Sequence, residues 1–398
     1  MPQPLNAIAA GHLCLDIIPD FDQLDEMHFE TLFKPGHLIQ IGSSQFSSGG
    51  SVSNTGLALH HLGIPTRLVA KIGADPYGNI LRDLIASKDP TLVEGFQVDP
   101  HADTSYSIII SNPSIDRMFL HCPGANDTFT ENDIDYSLVR QSALFHFGYP
   151  PIMRQMYTDG GRHLFETMRR AKETGATTSM DMSLPDPSTE SGRVDWKEIY
   201  RNILPFVDIF LPSLEELLFT FKRPLYDQMV RKGDILDQAT PVLLKELSTE
   251  LMALGVKIVV IKLGTRGLYL RTTGLDRLEK MGRATPENCG VWATCEKWVP
   301  CFKVSLVGTT GSGDCTIAGF LAALLRGEPP EQALRMAVAV GACNVEAADS
   351  LSGLRTWEET HNRIDNGWDQ IPSPKPESGW EWDASNKLWI SPLDGHNG

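Results

Sequence analysis

Asp314 is the residue of this sequence best placed to do chemistry. It lies in the run VSLVGTTGSGDCTIAGFLAALLRG at 304–327, where a short apolar strand at 304–307 leads into a glycine-rich turn and then a helix beginning near Asp314. Gly311 and Gly313 allow backbone conformations and close approaches that larger residues prevent. The amides of 311–313 then point outward at a helix N-terminus, where unpaired N–H groups and the helix dipole favour an anion such as phosphate. The same dipole holds a first-turn carboxylate ionised, by roughly 0.3–1 kcal/mol. Asp314 is thus a base beside a phosphate cradle. It could accept the proton of an attacking hydroxyl while the amides hold charge developing on a transferred phosphoryl group. The segment alone equally permits a plainer reading, in which Asp314 caps the helix and the glycines only form the loop.

Other chemistries lack their residues. There is no G-x-x-x-x-G-K-[ST], and Thr316 stands where G-x-G-x-x-G would need its third glycine. H-E-x-x-H and G-x-S-x-G are absent, and AAGHLCLD after the first strand offers no dinucleotide-binding turn.

The elements that must position Asp314 alternate. Residues 5–10 read as a buried strand, 52–62 as a helix stopped by Gly63, and 66–71 as a strand. Segments 104–110 and 117–122 flank a turn and suggest a hairpin. From residue 143 strands are expected at 143–147, 176–181, 206–211, 256–263 and 302–307. Helices are expected near 160–174, 196–204, 214–222, 239–254, 314–326 and 330–349. This rhythm predicts an α/β fold, a mostly parallel sheet flanked by helices on both faces. Segments 12–48 and 100–126 break the rhythm and suggest a small β lid. Residues 273–300 read as a β-like insertion, and 371–398 as a Pro- and Trp-rich tail wrapping the surface of a single domain at 1–370.

The 398 residues are 41% hydrophobic and 21% charged, ordinary for a globular chain, with a formal charge of −15 that argues against nucleic-acid or anionic-membrane partners. Seven scattered cysteines without C-x-x-C spacing read as reduced thiols. Cys289, Cys295 and Cys301 recur every six residues, which fits a β-rich insertion better than a zinc site. The N-terminus lacks a basic segment and an apolar run of signal length, so a cytoplasmic location is expected.

These features together resemble the ribokinase-like, or PfkB, carbohydrate kinases over roughly residues 5–365. The ending D-T-x-G-A-G-D of that family corresponds here to Gly308-Thr309-Thr310-Gly311-Ser312-Gly313-Asp314. The resemblance implies that Asp314 is the general base and that Gly311, Ser312 and Gly313 form the anion hole. A second signature, a diglycine followed by an Asn in a helix, matches Gly49-Gly50-Ser51-Val52-Ser53-Asn54 and continues to Lys71-Ile72-Gly73 and Gly78. It implies that Gly49, Gly50 and Asn54 hold sugar hydroxyls, together with Asp16 after the first strand. The plainer alternatives are a helix cap for Asn54 and a loop carboxylate for Asp16. Cys122-Pro123-Gly124-Ala125-Asn126 is similar to a turn after the lid strands. By similarity to N-x-x-E, Glu216 organises Mg²⁺, or is one more exposed helix carboxylate. By similarity to T-x-G-x-x-G, Lys262, Gly264 and Gly267 lie near the nucleotide, unless Lys262 is simply solvated.

Several positions depart from the pattern, and Val52 and Gly56 fall outside the usual small-residue choices of the diglycine signature. Gly308 replaces an Asp that in relatives helps bind a monovalent cation, which leaves K⁺ activation open. Ser213 replaces the usual Asn near Glu216. Tyr149 stands where ribokinase has a substrate-binding Glu, and Asp181-Met182-Ser183-Leu184-Pro185 lacks the Arg of a D-x-N-x-R variant. The resemblance therefore implies an ATP- and Mg²⁺-dependent kinase acting on a sugar or sugar-like hydroxyl, without naming the sugar. The alternatives are a nucleoside kinase, with Phe46, Tyr106 or Phe119 as a wall for the base, and a non-catalytic sugar or nucleotide sensor. Exposed edges of the lid could pair two copies into a dimer.

Overall fold

Short apolar runs bounded by glycine and polar turns build the framework of the computed structural model, which describes residues 6–21, 35–112, 115–373, 376 and 379–394. Its strands are β1 (Ala7–Gly11), β2 (Cys14–Pro19), β3 (Ser44–Gly49), β4 (Thr66–Val69), β5 (Lys71–Gly73), β6 (Gln97–Asp99), β7 (Tyr106–Asn112) and β8 (Ile115–Cys122). They continue with β9 (Leu144–Gly148), β10 (Thr177–Met180), β11 (Ile209–Phe210), β12 (Ile258–Lys262), β13 (Leu268–Thr272), β14 (Glu296–Val299), β15 (Glu381–Asp383) and β16 (Leu388–Ile390). The helices that matter below are α1 (Ser51–His61), α2 (Arg162–Glu173), α3 (Trp196–Ile203), α4 (Leu214–Phe221), α5 (Pro241–Ala253), α6 (Ser312–Leu325) and α7 (Pro330–Asn344).

Among the described residues the main sheet runs β15-β16-β14-β13-β12-β11-β10-β9-β1-β4. From β4 to β12 the strands are parallel. Beyond β12 they are antiparallel. Side chains alternate between the two faces, as the twofold period of a strand requires. On β12, Val259 and Ile261 join a core with Leu164 and Met168 of α2, Tyr200 of α3, Leu217 of α4 and Leu247 of α5. Ile258 and Val260 face the other way, toward Leu59 of α1, Phe320 of α6 and Val340 of α7. Helices thus cover both faces, as the strand–helix rhythm predicts.

A second sheet, ordered β3-β2-β7-β8, is built from the two segments that break that rhythm. β7 and β8 pair antiparallel, the expected hairpin. Residues 22–34 of the first lid segment lie outside the described residues.

Four expectations need correction. Residues 302–307 are not a strand: Phe302 makes a single bridge to Gln370, and Leu306 and Val307 are 66% and 60% exposed. The sheet position beside β13 goes instead to β14, from the segment read as an insertion, whose earlier part holds two helical turns, Leu275–Leu278 and Cys289–Trp292. The C-terminal segment does not merely wrap the surface. Its β15–β16 hairpin joins β14 and buries Trp380 and Leu388. Finally, α7 stops at Asn344, short of the expected 349.

Candidate active site

The parallel strands end on one edge, and the polar residues of the site stand there: His12 just after β1, Tyr149 after β9, Asp181 after β10, Ser213 near the end of β11 and Lys262 closing β12. In open α/β sheets this carboxyl edge is where ligands bind. The glycine-rich turn delivers Asp314 to the same place. Gly311, with φ +73°, is the N-cap of α6, and a β-carbon there would come within 2.5 Å of Ser350 Cβ. The left-handed backbone and the tight fit both require glycine.

Asp314 does not act as a helix cap. Its carboxylate, only 2% exposed, turns to two other elements. Asn54 Nδ2, from α1, donates to Oδ2 at 2.9 Å, and Tyr149 Oη lies 2.8 Å from each carboxylate oxygen. Asn54 is likewise not a cap. Burial pushes the Asp314 carboxyl above the ordinary aspartate range, against the opposing pull of Asn54, Lys262 and Tyr149. This corrects the expectation that the helix dipole decides its ionisation: desolvation in the buried site outweighs it. The amides of 311–313 are also not all open, because Ser312 N–H donates to the Thr309 carbonyl at 3.2 Å.

Lys262 is largely withdrawn from solvent, its side chain 13% exposed. Its Nζ lies 3.9 Å from Glu216 Oε2, and its terminal atoms are 3.8 Å from where a Gly313 β-carbon would be. Glu216 is likewise only partly exposed, and it closes a capping box at the start of α4: its Oε2 accepts from Ser213 N–H at 2.7 Å, while its own N–H donates to Ser213 Oγ. Burial pushes the Glu216 carboxyl up, with Lys262 and Ser213 pulling it down. Gly264 and Gly267 form the turn that follows, both with positive φ.

Asp181 and Tyr149 belong to this cluster, although the sequence meets the family pattern there only as departures from its substrate region. Tyr149 adopts left-handed φ +61°, ψ +43°, a conformation costing a non-glycine residue roughly 1 kcal/mol or more. Its N–H donates to Asp181 Oδ1 at 3.3 Å, and its side chain reaches Asp314, so the strained turn places the phenol. Asp181 is fully buried, and its Oδ2 has no hydrogen-bond partner among the described residues. Burial drives its carboxyl well above the aspartate range. Their signal in the sequence is their place in the substrate region of the family pattern, at the carboxyl end of an apolar strand.

Asp16, Gly49 and Gly50 form the other side. Asp16 on β2 faces Ser47 on β3, and a β-carbon at Gly49 would lie 2.3 Å from Asp16 Oδ2. Gly50, with φ +88°, starts α1 and carries the chain toward Asn54. Asp16 lines a cavity with Ile18, Gln45, Ser47, Thr310 and Ser350, between the small sheet and the glycine-rich turn. Burial raises its carboxyl to about 6. The registers put Asp16, Ser107, Ile109, Phe119 and His121 on one face of the small sheet. Phe46 and Tyr106 point to the opposite face, so only Phe119 of the three aromatic residues shares the Asp16 side.

The three cysteines spaced by six do not converge. Cys289, Cys295 and Cys301 each donate to a different backbone carbonyl, of Pro286, Val291 and Gly264.

The chain is similar to known proteins in sequence and in fold. Residues 10–357 match the pfkB family of carbohydrate kinases. The chain belongs to that family. As a pfkB-family kinase it is 26% identical over 331 residues to a probable chloroplastic fructokinase-6 of Arabidopsis thaliana, covering 79% of this chain and 74% of that one. A fructokinase-2 of Zea mays is 24% identical over 323 residues, covering 79% and 78%. The fold matches a ribokinase from Thermotoga maritima with TM-score 0.65 and 21% identity, over 91% of this chain and all of that one. It also matches a Xylella fastidiosa fructokinase with bound ATP, with TM-score 0.66 and 17% identity, over 91% and 99%. No helix among the described residues is long and apolar enough to cross a membrane.

Proposed function

We propose that this pfkB-family kinase transfers the γ-phosphoryl group of ATP to a hydroxyl of a sugar or sugar-like acceptor, with Asp314 as general base. The observation that carries this reading is the placement of a buried carboxylate at the start of α6, oriented from outside its own helix by Asn54 and Tyr149. The acceptor lies between the small sheet and the carboxyl edge of the main sheet, where Asp16 and the Gly49–Gly50 backbone receive its other hydroxyls and Asn54 orients the reacting end. Asp314 takes the proton of the attacking oxygen. The amides at the start of α6, with Lys262 beside Gly313, hold the charge that develops on the transferred group. Gly264 and Gly267 shape the turn on the nucleotide side.

The residues fit a magnesium nucleotide. Buried Asp181 and Asp314 and the partly exposed Glu216 share Lys262 as a neighbouring cation, and among the described residues Asp181 keeps an unpartnered oxygen. Such a cluster favours added positive charge. Glu216 and Asp181 are the residues that would hold Mg²⁺, directly or through water. When bound, the ion neutralises phosphate charge. A role for K⁺ has no residue to support it at Gly308.

The seven free cysteines are consistent with a reducing, cytoplasmic setting. The outer face of the small sheet, with Phe46, Met118 and Leu120 exposed, is where two copies would pair, which sedimentation tests directly.

The test of function is ADP release from Mg·ATP across pentoses, hexoses, sugar phosphates and nucleosides. Turnover with a free sugar supports the proposal. A preference for nucleosides would reassign the acceptor, and silence with sugar binding retained would favour a sensor.

A further inference from the structure

The small sheet gathers side chains that phosphoryl transfer does not use. His12 follows β1, Cys14 opens β2, and His121 sits near the end of β8. Their ligating atoms all lie within 4.8 Å of one another. The two imidazole Nε2 atoms are 3.4 Å apart. Two nitrogens bound to one tetrahedral ion at about 2.0–2.1 Å are separated by about 3.3–3.4 Å, so the rings already stand at ligand spacing. We propose that His12, Cys14 and His121 bind a divalent transition metal of the zinc type, with a fourth coordination position left open.

The surroundings orient the donors. His121 Nδ1 is 2.9 Å from Ser107 Oγ, which leaves Nε2 as the free donor and supplies the outer partner that metal-binding imidazoles usually have. His12 is 2% exposed and packed so closely that a β-carbon on Gly50 would come within 2.6 Å of its Nδ1, which fixes the ring. That Nδ1 has no hydrogen-bond partner among the described residues. Cys14 is buried, with Sγ 3.4 Å from Asp16 Oδ1 and 3.8 Å from Ser107 Oγ. His121 is exposed and gives the ion its way in. Burial favours the neutral imidazole of His12 and also holds the Cys14 thiol up, so the ion itself must draw off the thiol proton.

The balance is simple. The hydrated ion loses water, the Cys14 thiol gives its proton to solvent, and the two neutral imidazoles donate lone pairs, with no change of oxidation state. One thiolate and two imidazoles select zinc, cobalt or copper over magnesium. An ion held here stands against Asp16, on the acceptor side of the site. That consequence rests on the phosphotransfer reading, whereas the binding does not.

The test uses the reduced full-length protein with Co²⁺ and Zn²⁺, without nucleotide or sugar, so its failure is distinct from failure of the kinase reading. We expect one Co²⁺ per chain with a thiolate-to-cobalt absorption band, displaced by Zn²⁺. Cys14→Ser abolishes the band. His121→Asn, at an exposed position that spares the core, weakens binding of both ions by at least about 100-fold. Thermal unfolding of each variant checks that it is folded. Absence of stoichiometric binding, or a band and affinity that survive in both variants, overturns the proposal.

Discussion

Tyr149 Oη lies 2.8 Å from both carboxylate oxygens of Asp314, across 165 residues of sequence. Burial and the neighbouring carboxylates keep the phenol protonated, so it is always the donor of this contact. It supports the ionised carboxylate in a site whose burial works the other way.

Tyr149→Phe therefore moves the acid limb of kcat/KM upward. A hydrogen bond to a charged group is worth roughly 1.5–3 kcal/mol, which corresponds to about 1 pH unit or more. Wild-type activity should fall as pH drops through the raised pKa of Asp314, and the variant should fall at higher pH. An unmoved limb in pH–rate profiles would show that the phenol does not tune the base.

Asp16 carries a cost in stability. Burial raises its carboxyl from the ordinary 3.8 to about 6 in the fold. The folded state holds this proton more tightly than the unfolded state, so the penalty is absent at low pH. It grows as pH rises from about 3.8 to 6 and reaches about 3 kcal/mol above that. Asp16→Asn should raise Tm at neutral pH while raising the KM of the acceptor. Denaturation at pH 7 and at low pH separates the effects: the gain should vanish in acid. Equal gains at both pH values would contradict the assignment.

The C-terminal hairpin should matter for stability but not for chemistry. Asp394 accepts from Glu296 N–H at 2.7 Å and pairs with buried Lys297, which Glu331 also approaches at 3.1 Å. Asp394→Ala leaves Lys297 with weaker compensation and should cost about 1–3 kcal/mol in urea unfolding, with kcat/KM per folded molecule unchanged. An altered kcat would mean that this edge of the sheet reaches the site.

The parts of the site that lie next to each other in sequence were legible there. Asp314 follows its own glycine turn, and Asn54 follows Gly49 and Gly50, so local spacing carries their placement. Tyr149 and Asp181 were not legible as partners. Their contacts are made only when β9 and β10 end side by side, and nothing local records that meeting. Glu216 combines two roles, since Ser213 makes it a cap as well as a site carboxylate. Residues 304–307 looked like a strand because they are mostly apolar, yet the next sheet position goes to β14. Trp380 and Leu388 looked like part of a surface tail because proline and glycine surround them. Pairing with β14 is a tertiary event that composition does not report.

The central claim is that Asp314 is the base of a sugar kinase. The direct measurement is ADP release from Mg·ATP with the best acceptor sugar, comparing wild type with Asp314→Asn, whose fold is checked by thermal unfolding. Loss of base catalysis should lower kcat by about 10²–10⁴ with nucleotide binding retained. A folded variant with turnover near wild type would contradict the account.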